Sequence, residues 1–421
     1  MTKKLVTDGS LLFFSTLIVN AGNYAINLVF GRWLGPSDFS EVSLLVTLLL
    51  MVSFFALAFQ LTGAKFSAED SSDKSVNSLF TWLNKRAIFV GLGMMLIVLI
   101  GAVFWKDFFQ TTSFIPFLIL GISLPFYLLM SVNRGIFQGK LLYRKLAITY
   151  QSEMWVRLIV SIALVYAGWR VNGVAAGIAV SLVITWWLSK KQLKLATNNE
   201  EFVFDEKAVL KFLLLILFYE LSQILINNSD IILVKHYFNP HDAGLYAALA
   251  LIGRIVYFGT WTVVTLLFPL VIKLEKEGKD HTWYFLAGLG IVTVMALGIV
   301  LACYWKPELM IGVLFGEEYI SVAPLLWKYG LATALFACSN VFVYYHMSLD
   351  RLIPVWITVI CGILQIILII LFHKDFAQVI QVQIYLMLGL LSLMISYHLM
   401  QQFTGKKMVK AQHRFFNKSK V

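Results

Sequence analysis

Apolar residues run in blocks of about twenty along nearly the whole chain, separated by short polar or basic stretches. A helix rises 1.5 Å per residue and needs about 20 apolar residues to cross the hydrocarbon of a bilayer. Blocks of that size fall at roughly 10–30, 40–64, 86–105, 113–133, 146–168, 171–189, 208–234, 243–272, 282–304, 322–346, 352–372 and 377–402. No period-two alternation competes with them, and a β-barrel signature is absent. The pattern predicts an all-α polytopic membrane protein with about twelve transmembrane helices. The first block follows Lys3 and Lys4, as in a signal peptide. It continues to about Phe30 without a small-residue cleavage site, so it is read as the first span.

Composition agrees. Of the 421 residues, 59% are hydrophobic and 14% charged, against about 25% charged in soluble domains. A soluble enzyme, a disordered chain and a disulfide scaffold are excluded. The net charge of +11 could suggest nucleic acid, but its distribution fits membrane topology better. One set of loops, with the two ends of the chain, collects roughly 25 Lys and Arg, among them Lys85, Arg86, Lys190, Lys191 and Lys279. The other set holds six: Arg32, Lys106, Arg170, Lys235, Lys306 and Lys374. The positive-inside rule then places both termini of this multi-pass membrane protein in the cytoplasm. The basic tail 403–421 is expected to touch anionic lipid, and no nucleic-acid partner is expected.

The segment WLGPSD (33–38) recurs 204 residues later as YFNPHD (237–242), and the same offset aligns Asn23 with Asn227. This predicts a duplicated six-helix unit, with both copies entering from the same side: two six-helix lobes related by a parallel pseudo-two-fold repeat. The expected organisation is an N-terminal lobe 1–189, a cytoplasmic linker 190–207, a C-terminal lobe 208–402 and the tail 403–421.

Polar side chains inside a span are costly and normally face a wet cavity or a protein partner. Here they recur at helical spacing. Asn20, Asn23 and Asn27 share a face of the first span with Thr16, whose hydroxyl can bond back to its own helix. Arg134 follows Ser123, Tyr127 and Ser131 on the fourth. Glu153 and Arg157, four apart with the acid first, either neutralise each other or serve a cavity. Glu220, Gln223, Asn227 and Asp230 stripe the seventh span; Tyr246, Arg254, Tyr257 and Trp261 stripe the eighth. Lys328 enters the tenth. A buried arginine such as Arg254 needs a carboxylate (Glu220 is one candidate), water or an anionic substrate.

Chemistry-bearing motifs are missing. There is no GxxxxGK[ST], HExxH, GxSxG or CxxC. Cys303, Cys338 and Cys361 read as packing residues, and the seven histidines show no ligand spacing, so no metal and no cofactor are expected.

The stretches NYAINLVFGRWLGPSDFSEVSLLVTLL, NSDIILVKHYFNPHDAGLYAALALIGRI and LMIGVLFGEEYISVAPLLWKYG resemble the polysaccharide-exporter branch of the multidrug/oligosaccharidyl-lipid/polysaccharide (MOP) flippase superfamily. The resemblance covers nearly the whole chain. It implies two lobes around a central cavity bordered by the first, second, seventh and eighth helices, and alternating access without enzymatic chemistry. The implied substrate is an undecaprenyl-diphosphate-linked oligosaccharide repeat unit for O-antigen, capsule or exopolysaccharide, with a polymerase and glycosyltransferases as partners. In that frame Arg254, Arg157, Arg134 and Lys328 would attract diphosphate or acidic sugars. Asn20, Asn23, Asn27, Gln223 and Asn227 would bond sugar hydroxyls, and Tyr246, Tyr257 and Trp261 would stack on sugar faces. Glu220, Asp230 and Glu153 are the candidates for coupling to H+ or Na+. The competing readings are a multidrug or toxin cation antiporter of the same superfamily and, in another class, a membrane-embedded polysaccharide polymerase or ligase. The latter would need a sizeable extracytoplasmic loop, and the longest here, about 304–321, is short.

Overall fold

The computed structural model describes residues 2–69, 72–193, 205–256, 277–349 and 351–418, with isolated positions between 263 and 275. Regular structure among the described residues is entirely helical. The first helix, α1 (Thr2–Glu69), is two arms joined at Gly35, whose φ of 72° and ψ of 172° interrupt the helix. Glycine takes that conformation without a Cβ penalty. Pro36 then opens the second arm, its fixed φ suiting a first helical turn. The same device recurs at α8 (Pro240–Gly253). There Asn239 Oδ1 accepts the Asp242 amide at 2.9 Å, and its Nδ2 donates to Asp242 Oδ2 at 2.8 Å, a reciprocal helix cap.

Between them run α2 (Asp73–Ile100), the short α3 (Ala102–Phe108), α4 (Ile115–Gly139), α5 (Tyr143–Leu164), α6 (Arg170–Gln192) and α7 (Glu206–Tyr237). A π-helical turn, Val165–Trp169, joins α5 to α6, with Gly168 at φ 89°. After α8 come α9 (Thr282–Trp305), α10 (Pro307–Leu314), a 3-10 segment (Glu317–Leu325), α11 (Leu326–Met347), α12 (Ile353–Leu371) and α13 (Phe376–Lys418). Among the described residues eight helical stretches are long and apolar enough to cross a membrane, or nine with the bent α7. Two of the eight, Ser10–Glu69 and Tyr143–Gln192, each contain a pair of helices.

The duplication shows in the helix boundaries. Pro36 and Pro240 both open a helix. α2 ends at Ile100 and α9 at Trp305; α3 opens at Ala102 and α10 at Pro307. α4 ends at Gly139 and α11 at Met347; α6 opens at Arg170 and α13 at Phe376. Each counterpart lies 204 to 208 residues downstream, the register that WLGPSD and YFNPHD already marked. α3, partly absorbed into the predicted span 86–105, and α10, within the predicted loop 304–321, are too short to show helical periodicity in the sequence.

By packing, the chain divides into two compact units: 1–247 with 314–318, and 248–313 with 319–421. α7 falls in the first because it lies along α1. Of the predicted linker, 194–204 lie outside the described residues. In the first unit Phe59, Leu83, Leu128, Val132 and Leu213 bring α1, α2, α4 and α7 together. Lipid tails are as apolar as leucine, so close approach through small residues does much of the holding. A Cβ on Gly135 would stand 2.5 Å from the Gln60 carbonyl oxygen, and one on Gly139 would be closer still to that of Ala64. The two backbones therefore touch, and Gly135→Val should cost about 1–3 kcal/mol through overpacking. Gly93→Val, where nothing stands within 4 Å, is the control. Apparent Tm in detergent should fall for the first and hold for the second.

In the second unit α9, α11 and α13 pack together, with the Phe285 and Phe342 rings at 5.2 Å. The outward face of α9 carries exposed Trp283, Leu286, Val294 and Leu301, which suits contact with acyl chains.

Candidate functional site

α4 and α5 form a tight hairpin, turned at Leu141 with φ 55°. On α5, Thr149, Tyr150, Glu153 and Arg157 share a face by helical spacing. The hairpin brings that face to Arg134, only 4% exposed. The Arg134 guanidinium donates from Nε to Thr149 Oγ1 and from Nη2 to the Thr149 carbonyl, both at 3.0 Å. Its Nη2 also lies 2.8 Å from Glu153 Oε2, and its plane sits 4.2 Å over the Tyr150 ring. The other carboxylate oxygen, Glu153 Oε1, accepts from Arg157 Nη2. Arg157 Nη1 donates in turn to Asn23 Oδ1 at 3.4 Å on the first arm of α1. The network continues through Gln60, whose Nε2 donates to Tyr150 Oη and to Gln138 Oε1, both at 2.9 Å.

The electrostatics follow from a count. Two guanidinium groups share one carboxylate, so the cluster carries a formal charge of +1 inside a membrane-spanning bundle. Arg157 lies fourteen residues into α5, roughly 21 Å along its axis. Its Nε is buried without a hydrogen-bond partner. A charge at that depth is stable only when paired or hydrated; here both guanidinium groups contact the one carboxylate, and its single negative charge leaves one positive charge over. Such a site attracts anions.

The remaining sequence candidates distribute as follows. Asn27 Nδ2 donates to the Asn23 carbonyl at 2.9 Å and Asn227 Nδ2 to that of Gln223 at 2.8 Å, each bonding its own helix. Thr16 does the same to Leu12 at 2.9 Å. Asn20 is exposed. Gln223 is buried, with both amide atoms unpartnered. Asp230 accepts from Tyr246 Oη at 3.0 Å. Tyr246 is fully buried, so its ring presents no face for a sugar in this conformation; Asp230 has drawn it inward. Glu153 is held by two arginines. Glu220 is half-buried on α7. In the second unit Arg254 Nε donates to Tyr329 Oη at 3.1 Å, and Lys328 Nζ stands 5.9 Å from the Trp327 ring centre. Tyr257 and Trp261 lie outside the described residues.

Sequence reasoning missed a second polar cluster in the first unit, near the α1 break. Lys235 is 1% exposed and donates to Ser40 Oγ at 2.9 Å. Glu41 accepts the Thr112 amide at 2.7 Å, and Asp38 accepts Arg170 Nε at 2.6 Å. The charges were visible, but their partners are 132 residues apart in the Asp38 pair. Among the described residues, no group of three or more His, Cys, Asp or Glu could hold a metal ion.

Comparison with known proteins agrees with this architecture. A family described as polysaccharide biosynthesis protein matches residues 29–324. No curated protein matches the chain. Among solved structures, the inward closed lipid II flippase MurJ superposes with a TM-score of 0.71 at 12% identity, covering 90% of this chain and 86% of that one. An outward-facing MATE-family multidrug resistance transporter of the MOP superfamily gives 0.65 at 13% identity, covering 96% of both. The MATE multidrug transporter DinF-BH gives 0.67 at 11% identity, covering 92% of this chain and 94% of its own. These likenesses establish the fold: an all-helical, multi-pass membrane fold of about twelve helices, the one that the lipid II flippase and the MATE-family proteins share.

Proposed function

Because the chain belongs to the polysaccharide biosynthesis protein family, we propose that it is a flippase for undecaprenyl-diphosphate-linked oligosaccharide repeat units, working by alternating access across the bacterial inner membrane with both termini in the cytoplasm. The observation that carries this reading is the +1 cluster of Arg134, Glu153 and Arg157. A diphosphate headgroup cannot cross hydrocarbon unaided, while its polyprenyl tail can remain in lipid. The protein need supply only a hydrated, cationic path for the head. Arg157, with an unsatisfied Nε, is the arginine poised to exchange a protein contact for a phosphate oxygen. Asn23 and Gln223 add hydrogen-bonding groups of the kind sugar hydroxyls use. Arg254 and Lys328 would contribute cationic character from the second half.

A cation antiporter on the same fold is the less favourable reading, because an excess positive charge repels its cargo. A polymerase or ligase needs catalytic groups outside the membrane, and the described connections there are no more than short helices and turns. Deleting the gene should cause lipid-linked repeat units to accumulate facing the cytoplasm, with loss of surface polysaccharide. Normal surface polysaccharide with no accumulated precursor, or polymer-length defects alone, would refute the flippase reading.

A further inference from the structure

In the first unit α4 ends, α5 begins and α6 ends at one surface. α5 and α6 pack along each other. Lys145, on the first turn of α5, donates from Nζ to the Gln192 carbonyl at the end of α6, at 2.9 Å. Asn133 Nδ2, near the end of α4, donates to Ser189 Oγ of α6 at 2.8 Å. The rim so formed carries five cations, Lys140, Arg144, Lys145, Lys190 and Lys191, and neither 135–152 nor 171–193 contains an Asp or Glu. Acids on neighbouring elements are already engaged. Glu69 faces Lys65 at 3.9 Å and Glu206 faces Arg86 at 3.3 Å. Asp205 caps α7, and Glu153 is held by its two arginines. The translocation reading makes no use of this excess positive charge.

The five cations are not equivalent. Lys145 serves the last carbonyls of α6, where a cation suits the helix dipole. Lys190 and Lys191 share that last turn but lean back towards the span. Their Nζ atoms stand 5.4 Å from the Trp186 ring centre and 5.2 Å from that of Trp187. Neither ammonium has an ion-pair partner among the described residues. A cation over an indole ring keeps N–H donors for a further acceptor. Trp186 is anchored edge-on to Phe126 of α4 at 5.1 Å, whereas Trp187 is 56% exposed. Leu141, at the tip of the α4–α5 turn between Lys140 and Arg144, is 45% exposed.

Cations thus alternate with exposed apolar side chains at the end of a span. A bare anion satisfies only the cations. A phospholipid satisfies both, with its phosphate among the ammonium and guanidinium groups and its acyl chains against the ring and the leucine.

We propose that this rim is a binding site for an anionic phospholipid, whose headgroup is received by Lys190, Lys191, Lys140 and Arg144 while Trp187 and Leu141 rest on its acyl chains. Arg134 stands six residues before Lys140, so a lipid seated here braces the base of the hairpin that brings Arg134 to Glu153 and Arg157.

The test titrates the full-length protein, in a nonionic detergent, with phosphatidylglycerol or phosphatidylcholine. Bound lipid is counted by native mass spectrometry. The first phosphatidylglycerol should bind about tenfold more tightly than phosphatidylcholine and raise the apparent Tm. A cation near an anionic surface contributes about fivefold in affinity, so Lys190→Gln with Lys191→Gln should weaken that first step by about tenfold or more. The same loss of charge at Lys306 and Lys374, both exposed elsewhere, should change it by less than about twofold. Lys190→Arg with Lys191→Arg should retain tight binding, which separates lost charge from a disturbed helix end. Three results overturn the proposal: equal affinity for the two lipids, an equal effect of the Lys306 and Lys374 changes, or displacement of phosphatidylglycerol by an equal concentration of inorganic phosphate. The first denies any preference for anions, the second reduces the effect to net charge, and the third makes the ligand a bare anion. None of them bears on translocation, so the two readings fail separately.

Discussion

Glu153→Gln should be among the most damaging single substitutions in this chain, lowering stability by about 3–5 kcal/mol, the range seen when one partner of a buried ion pair is removed. Glu153 is the shared counterion of Arg134 and Arg157. Its loss turns a cluster of charge +1 into one of +2, with the two guanidinium groups facing a neutral amide. The apparent Tm in detergent and the steady-state level in the membrane should both collapse. Arg134→Met placed on the Glu153→Gln background should recover part of the loss, since it removes one stranded charge from an otherwise apolar surround. A Glu153→Gln protein as stable as wild type would show that the carboxylate is not what holds the arginines at this depth.

Arg157→Gln should have the opposite signature. Glu153 keeps Arg134 as its partner at 2.8 Å, so the remaining pair is neutral and the fold should survive at near-normal level. Only the excess positive charge is lost. If Arg157 holds the diphosphate, transport should fall by about 10- to 100-fold, matching roughly 1.5–3 kcal/mol for a hydrogen bond to a charged group. Export of surface polysaccharide, normalised to protein level, measures this. Arg157→Lys should restore part of the flux by keeping the charge without the fork. Undiminished export by Arg157→Gln would remove this arginine from the transport path.

The two predictions differ because of geometry that the sequence displays only in part. The Glu153–Arg157 pair is legible: four residues apart on a helix, acid first. Arg134 is not, because it joins them only through the α4–α5 hairpin, whose turn passes through a positive φ at Leu141. A positive φ at leucine has no signature in composition. The same holds for His346 and His398, 52 residues apart and brought together by packing of α11 on α13. What was readable was whatever repeats locally: the apolar blocks, the Gly-Pro and Asn-Pro breaks, and the offset of 204 residues. Thr16, on the polar stripe of the first span, turns its hydroxyl back onto its own helix, the alternative open to any threonine. Tyr246 was expected to offer its ring to a sugar. Asp230, sixteen residues earlier, instead anchors its hydroxyl and leaves the ring fully buried. A polar stripe on a helix identifies which residues must find partners, but not whether those partners are substrate or protein.

The register of the duplication adds one consequence. Moving 204 to 208 residues along from Arg134, Glu153 and Arg157 leads to 338–342, 357–361 and 361–365, which hold no Arg, Lys, Asp or Glu. The ionised trio was therefore kept, or acquired, by one copy alone. A lone elementary charge carried by half of a transporter does electrical work whenever that half shifts along the bilayer normal. The full membrane voltage is worth about 2.3 kcal/mol per charge per 100 mV. On the proposed flippase reading, cargo with two negative phosphates would reverse the sign of the loaded cluster. Empty and loaded protein would then be pushed in opposite directions by the same field, so a resting potential would favour one excursion with the headgroup aboard and the reverse excursion without it.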